Sequence, residues 1–148
     1  MKHAYSEMYL DDAMRNLGEA VDYASACCSL NPDEFMEMFL KTNLALQFEQ
    51  GFPKVVSGMS GTELVLEIAW RLGITKEFPE PQTEYDYSME YWCGWILAYY
   101  QWYTGYRFEE ILAKMPMREI AELYPALHES PEEKFVEVAD RRMRKKAR

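Results

Sequence analysis

Residues 85–108 read YDYSMEYWCGWILAYYQWYTGYRF and hold 11 of the chain's 22 aromatic residues within 24 positions. Wound as a helix from Ser88, the stretch sets Tyr91, Trp95, Ala98 and Trp102 along one line of side chains. Trp92, Ile96, Tyr99 and Tyr103 form the next line, and Cys93, Leu97 and Tyr100 a third. Glu90, Gly94 and Gln101 are the only small or polar strip left. A helix apolar on nearly every side has to be enclosed by other helices or set in a membrane. A span needs about 20 mostly apolar residues, and this stretch is too short and too rich in Tyr for one. It is expected to be the central post of a soluble all-α domain.

The rest of the chain supplies the enclosure. Residues 8–28 place Leu10, Ala13, Met14, Leu17, Ala20, Val21, Ala24 and Cys28 on one stripe with helical spacing. Gly18 inside it reads as a cost of about 1 kcal/mol against Ala. Asn31-Pro32-Asp33-Glu34 and Ser60-Gly61-Thr62-Glu63 each offer a capping residue with an acid three positions on, so helices are predicted to start there. Phe35, Met36, Phe39 and Leu40 face inward from the first, and Leu64, Val65, Ile68, Ala69 and Leu72 from the second, which Gly73 stops. A short helix with Leu44, Leu46 and Phe48 lies between them, ends at Gly51, and Phe52-Pro53 leads into a loop. Residues 74–87, with Pro79 and Pro81, read as an extended connector. After the post, Gly105 breaks the helix. Short helices follow around Phe108, Ile111 and Leu112 and from Pro116 through Ile120 and Leu123, then a last one turns Phe135, Val136, Ala139 and Met143 inward. Nothing alternates with the period of a sheet. The expectation is a single domain over 1–148, a bundle of about seven or eight helices, with a division near residue 80 as the alternative.

Charge is unevenly placed. The net charge is −9, but residues 141–148, RRMRKKAR, carry six Lys or Arg and no acid, so residues 1–140 stand at −15. An acidic body repels phosphate backbones and suits a basic partner, because long-range fields steer association. The basic tail admits three roles: contact with nucleic acid, folding back on the acidic body, or completing the last helix, where cations complement the dipole. A helix-turn-helix drawn over 108–124 presents MREIAELY, one Arg against two Glu, to the duplex, so DNA reading is discounted. Cys27, Cys28 and Cys93 include an adjacent pair and no CxxC, which points to reduced thiols in a cytoplasmic protein. No apolar targeting segment opens the chain.

Motifs for chemistry are few. Ser57-Gly58-Met59-Ser60-Gly61 precedes a helix, but no Lys follows the second glycine and no strand comes before, so it reads as a loop and cap. Asp11-Asp12, Glu109-Glu110 and Glu132-Glu133 are neighbours whose side chains diverge by about 100° on a helix. They read as solvated faces, so neither a metal nor a cofactor is expected. Of two histidines, His3 falls in a terminus expected to fray, and His128, beside Glu129, is the candidate polar handle. Seven tyrosines between 85 and 108 are many for a sealed core, because each buried hydroxyl wants a partner. Trp92, Trp95, Tyr99, Trp102 and Tyr103 are therefore the candidate contacts for a partner or ligand, Tyr and Trp being the usual anchors of protein interfaces.

Residues 88–103 (SMEYWCGWILAYYQWY), 48–61 (FEQGFPKVVSGMSG) and 123–129 (LYPALHE) resemble a family of small uncharacterised bacterial proteins. Its members are encoded near predicted toxin genes, ADP-ribosyltransferase-like ones among them, in toxin–antitoxin-type clusters. The resemblance covers most of the chain and brings no catalytic residues with it. It implies a non-enzymatic partner-binding protein, an antitoxin or an accessory subunit. The alternative is a helical ligand-binding or enzymatic domain with a pocket beside the aromatic post.

Overall fold

Two of the helices predicted from capping motifs begin where those motifs place them. The computed structural model describes residues 3–80 and 88–145, and the regular structure within them is helical throughout. The side chains of Asn31 and Ser60 each accept from the N–H three residues on, while Glu34 and Glu63 reach back to the cap, so both capping boxes form. Gly73 and Gly105 close their helices with φ of +75° and +76°, a backbone that suits residues without a Cβ.

A 3₁₀ turn at Glu7–Tyr9 leads into α1 (Leu10–Cys28), α2 (Pro32–Leu40), α3 (Asn43–Glu49), α4 (Pro53–Val56) and α5 (Gly61–Arg71). After residue 88 come α6 (Met89–Thr104), α7 (Phe108–Lys114), α8 (Met117–Glu122), α9 (Tyr124–Leu127) and α10 (Glu132–Lys145). The count among the described residues is ten, because two single turns, α4 and α9, add to the eight longer helices. Each carries a proline in its first turn, where φ is already helical and the missing N–H costs nothing. Buried Val55 and Val56 hold α4 to the core, and Leu127 holds α9. Residues 74–80 form no helix, as expected of a connector; its remainder, with Tyr85 and Tyr87, lies outside the described residues. The basic tail finishes α10 as far as Lys145: Met143 is buried, and Arg142 lies 3.6 Å from Glu119. Residues 146–148 lie outside the described residues.

The post is α6, and its chief neighbour is α1. Asp22 meets Ser88, Gly18 meets Tyr91, Leu17 meets Gly94 and Tyr5 meets Trp102, so the two run antiparallel. Gly94, which reads in sequence as part of a polar strip of α6, is thus the site of its most intimate contact. A Cβ on Gly94 would fall 2.5 Å from the Leu17 carbonyl oxygen, and one on Gly18 3.0 Å from that of Tyr91. Gly18 therefore does more than weaken α1: the two glycines let the backbones touch. Gly61 repeats the device at the start of α5, where a Cβ would meet Asn16 and Ala20 backbone at 2.5 Å.

One hydrophobic core runs through residues on both sides of residue 80, from Leu10 to Ile68 and from Trp92 to Met143. Phe39 and Phe48 pack edge to face at 6.0 Å, and Phe108 closes on Phe48 at 5.7 Å, joining α2, α3 and α7. Tyr100, fully buried, donates to Asp140 at 2.7 Å and ties α6 to α10. No helix of the described residues is long and apolar enough to cross a membrane.

Helix propensity and packing predict opposite signs for Gly94→Ala. Propensity alone stabilises by about 1 kcal/mol, whereas forcing a methyl against backbone costs about 1–3 kcal/mol. Urea denaturation is expected to show a lower midpoint with an unchanged slope; a raised midpoint sinks the close-contact account.

Candidate functional site

On the flank of α6 away from α1, Trp92 is pinned by its neighbours. Its ring meets Tyr124 edge-on at 5.7 Å and Phe135 edge-on at 5.8 Å. Tyr124 lies four residues before His128, so both project from the α9 turn on one face, and their rings stack at 4.2 Å. Tyr91, Trp92, Trp95, Tyr124 and His128 line an open groove of about 350 Å³. Trp95 is half-buried, and no ring pairs with it among the described residues.

His128 is held at both nitrogens. Nδ1 lies 2.6 Å from the Tyr124 carbonyl oxygen, which can only accept, so Nδ1 carries the hydrogen. Nε2 lies 3.2 Å from the Glu129 carboxylate. This is the environment of an oriented ring; among the described residues no hydroxyl or thiol is bonded to it as a nucleophile would be to its base.

Of the residues singled out from sequence, Trp92, Trp95 and His128 come together in the groove, while Tyr99, Trp102 and Tyr103 do not. Those three form a second cluster, with Tyr99 5.8 Å from Trp102 and 5.9 Å from Tyr103. Here two expectations need correction. Trp102 is buried, its indole N–H donating to the Tyr5 carbonyl at 2.8 Å, so it anchors structure and offers no surface. His3 does not fray: it stacks on Trp102 at 3.9 Å, and the Ala4 N–H donates to the Trp102 carbonyl at 2.8 Å. Tyr91 and Tyr124 are groove residues the sequence reading missed. The spacing of Tyr124 and His128 in LYPALHE was the available signal for the second; the first, whose ring also lies against Gly18 of α1, needs the packing of α6 on α1 to be known.

Acids gather on this side of the molecule. Burial, then the charges of Glu133 and Glu132, push the Tyr99 hydroxyl up to about 12. Elsewhere, Cys93 is pushed up to about 12 by burial, which makes it an inert thiol, and all three cysteines are free. Among the described residues no group of three or more His, Cys, Asp or Glu could hold a metal ion.

A separate polar knot joins α3, α6 and α7. The Gln101 amide donates to the carbonyls of Glu49 (3.3 Å) and Tyr106 (3.1 Å). The Glu49 carboxylate accepts from the Phe108 N–H at 2.8 Å and caps α7, with Arg107 3.7 Å away. Burial raises the Glu49 pKa above its usual 4.5, outweighing the Phe108 N–H and the Arg107 charge, which lower it.

No protein-family model, no curated protein and no solved structure matches the chain.

The knot carries a pH signature. A carboxyl whose folded pKa is raised holds more protons in the native state than in the unfolded one, so its contribution falls as pH rises above 4.5. Measured against Glu49→Gln by urea denaturation, the wild-type chain should be relatively more stable near that pH than at neutrality. The reverse trend would mean that the Phe108 N–H and Arg107 outweigh burial.

Proposed function

We propose that this chain is a non-enzymatic protein-binding domain, acting as an antitoxin or accessory subunit does, and that its partner docks at the Trp95 groove. The observation that carries the reading is a half-buried Trp95 beside Trp92 and Tyr124 in an otherwise well-packed helical body. Rings that are rigid, amphipathic and partly open are the usual energetic anchors of interfaces. The −15 body supports the same reading, since it steers a basic partner towards the surface. The resemblance to proteins encoded near predicted toxins makes the product of the neighbouring gene the first partner to test. A groove of about 350 Å³ also has the size of a small-ligand pocket, with His128 as its polar handle. That second reading requires saturable binding of a small molecule without any partner protein.

Co-expression with the neighbouring gene product tests the main reading. The pair is expected to co-purify, and Trp95→Ala to weaken capture by about tenfold or more while leaving the helical circular-dichroism signal intact. Trp70→Ala is the control, because Trp70 is 75% exposed on α5 and does not line the groove. Capture unaffected by Trp95→Ala removes the groove from the reading. A chain that neither co-purifies with that product nor relieves its toxicity overturns the reading as a whole.

A further inference from the structure

We propose that the groove receives a basic side chain of the partner, an arginine guanidinium stacked on Trp95 and paired with Glu129. The inference rests on the partner-binding reading and names what the partner brings. Three features carry it.

The first is the ring that lies open. An indole face attracts a cation through its quadrupole, more strongly than Tyr or Phe, and a planar guanidinium also stacks on it. Trp92 and Tyr124 spend their edges and faces on each other, on Phe135 and on His128. Trp95 has no such ring partner among the described residues.

The second is charge. Among the described residues no Lys or Arg lines the groove. Glu129, with its side chain 87% exposed, stands at the His128 end, and Glu132 and Glu133 open α10 close by, near enough to act on Tyr99. Lys134, the nearest cation in sequence, is turned to Glu137 at 3.4 Å. An incoming cation thus meets Glu132 and Glu133, which form no ion pair among the described residues, and a Glu129 carboxylate whose neighbour is the His128 ring.

The third is the mismatch with other occupants. A purely apolar side chain seated here would cover the rings but would also strip water from the Glu129 end without replacing its hydrogen bonds, which is costly. A guanidinium satisfies both ends at once: its plane lies on the indole, and its N–H fork faces the carboxylate. A carboxylate or phosphate would meet like charge.

The test is a nuclear magnetic resonance titration of the full chain at low salt with two probes, N-acetyl-arginine amide and N-acetyl-citrulline amide. They share size and planarity and differ in charge. The arginine probe is expected to shift the Trp95 indole and His128 ring signals saturably, with the citrulline probe about tenfold weaker. Glu129→Gln should cut the arginine affinity severalfold, and Trp95→Ala should abolish it. Equal binding of the two probes, or shifts confined to other surfaces, overturns the proposal, as does absence of binding by both. Self-association that Trp95→Ala abolishes would seat a second copy in the groove and overturns it as well. The two readings fail separately. If Trp95→Ala destroys partner capture while the probes bind equally or not at all, docking at the groove stands and the arginine falls. If the arginine probe alone binds but Trp95→Ala leaves partner capture unaffected, the arginine site stands and docking of that partner at the groove falls.

Discussion

Backbone contact between α1 and α6 is the constraint on which the remaining architecture depends. An aromatic-rich helix is thick, and helices normally pack 8–10 Å apart, at a distance set by the side chains between them. Gly18 and Gly94 remove the side chains at the crossing, so the post sinks onto α1 until carbonyl oxygens define the contact. Everything large on α6 is then displaced to its flanks. On one side Tyr100 and Trp92 meet Phe135 of α10, and on the other Trp102 meets the chain's opening residues. Gly61 brings α5 against the same part of α1, so three helices share one backbone-to-backbone junction.

That displacement also makes the groove. Had α6 met α1 through bulky side chains, some of its rings would have been absorbed in the interface, with fewer left for the outside. With the glycine strip turned inward, α6 has a surplus of rings on its outer side, more than α8, α9 and α10 can cover. Trp92 is covered, while Trp95 and Tyr99 are only partly so. The single turn of α9 then places Tyr124 and His128 along the margin, and the short link into α10 brings Glu129 beside them.

Much of this was legible in the sequence wherever the cause is local. Asn31, Ser60, Gly73 and Gly105 act through bonds and φ values that depend on their own neighbours, and each does what its type and position imply. The inward stripes of α1, α5 and α10 follow from spacing alone. Meanings that depend on a distant partner were not legible. A glycine gives the same signal whether it weakens a helix or admits a second one, so Gly18 read as a defect. Trp102 and Trp95 sit on the same line of α6, yet only Trp102 has residues 3–5 folded over it, a contact across almost a hundred positions. Phe52-Pro53 read as the way into a loop, and the turn at Tyr124–Leu127 was not anticipated, because single-turn helices have no periodicity to detect. The candidate site was half visible: ring chemistry marked the right helix, while the division of its rings between core and groove required the packing.

The four tryptophans end up in graded surroundings, with Trp70 in water, Trp95 at a margin, and Trp92 and Trp102 sealed. Indole emission shifts with local polarity, so the molecule carries its own set of optical reporters. Aqueous quenchers such as iodide will reach Trp70 first and leave Trp92 and Trp102 bright until the fold opens. Light from Trp95 sits between those limits, and a molecule settling over its ring changes chiefly that fraction.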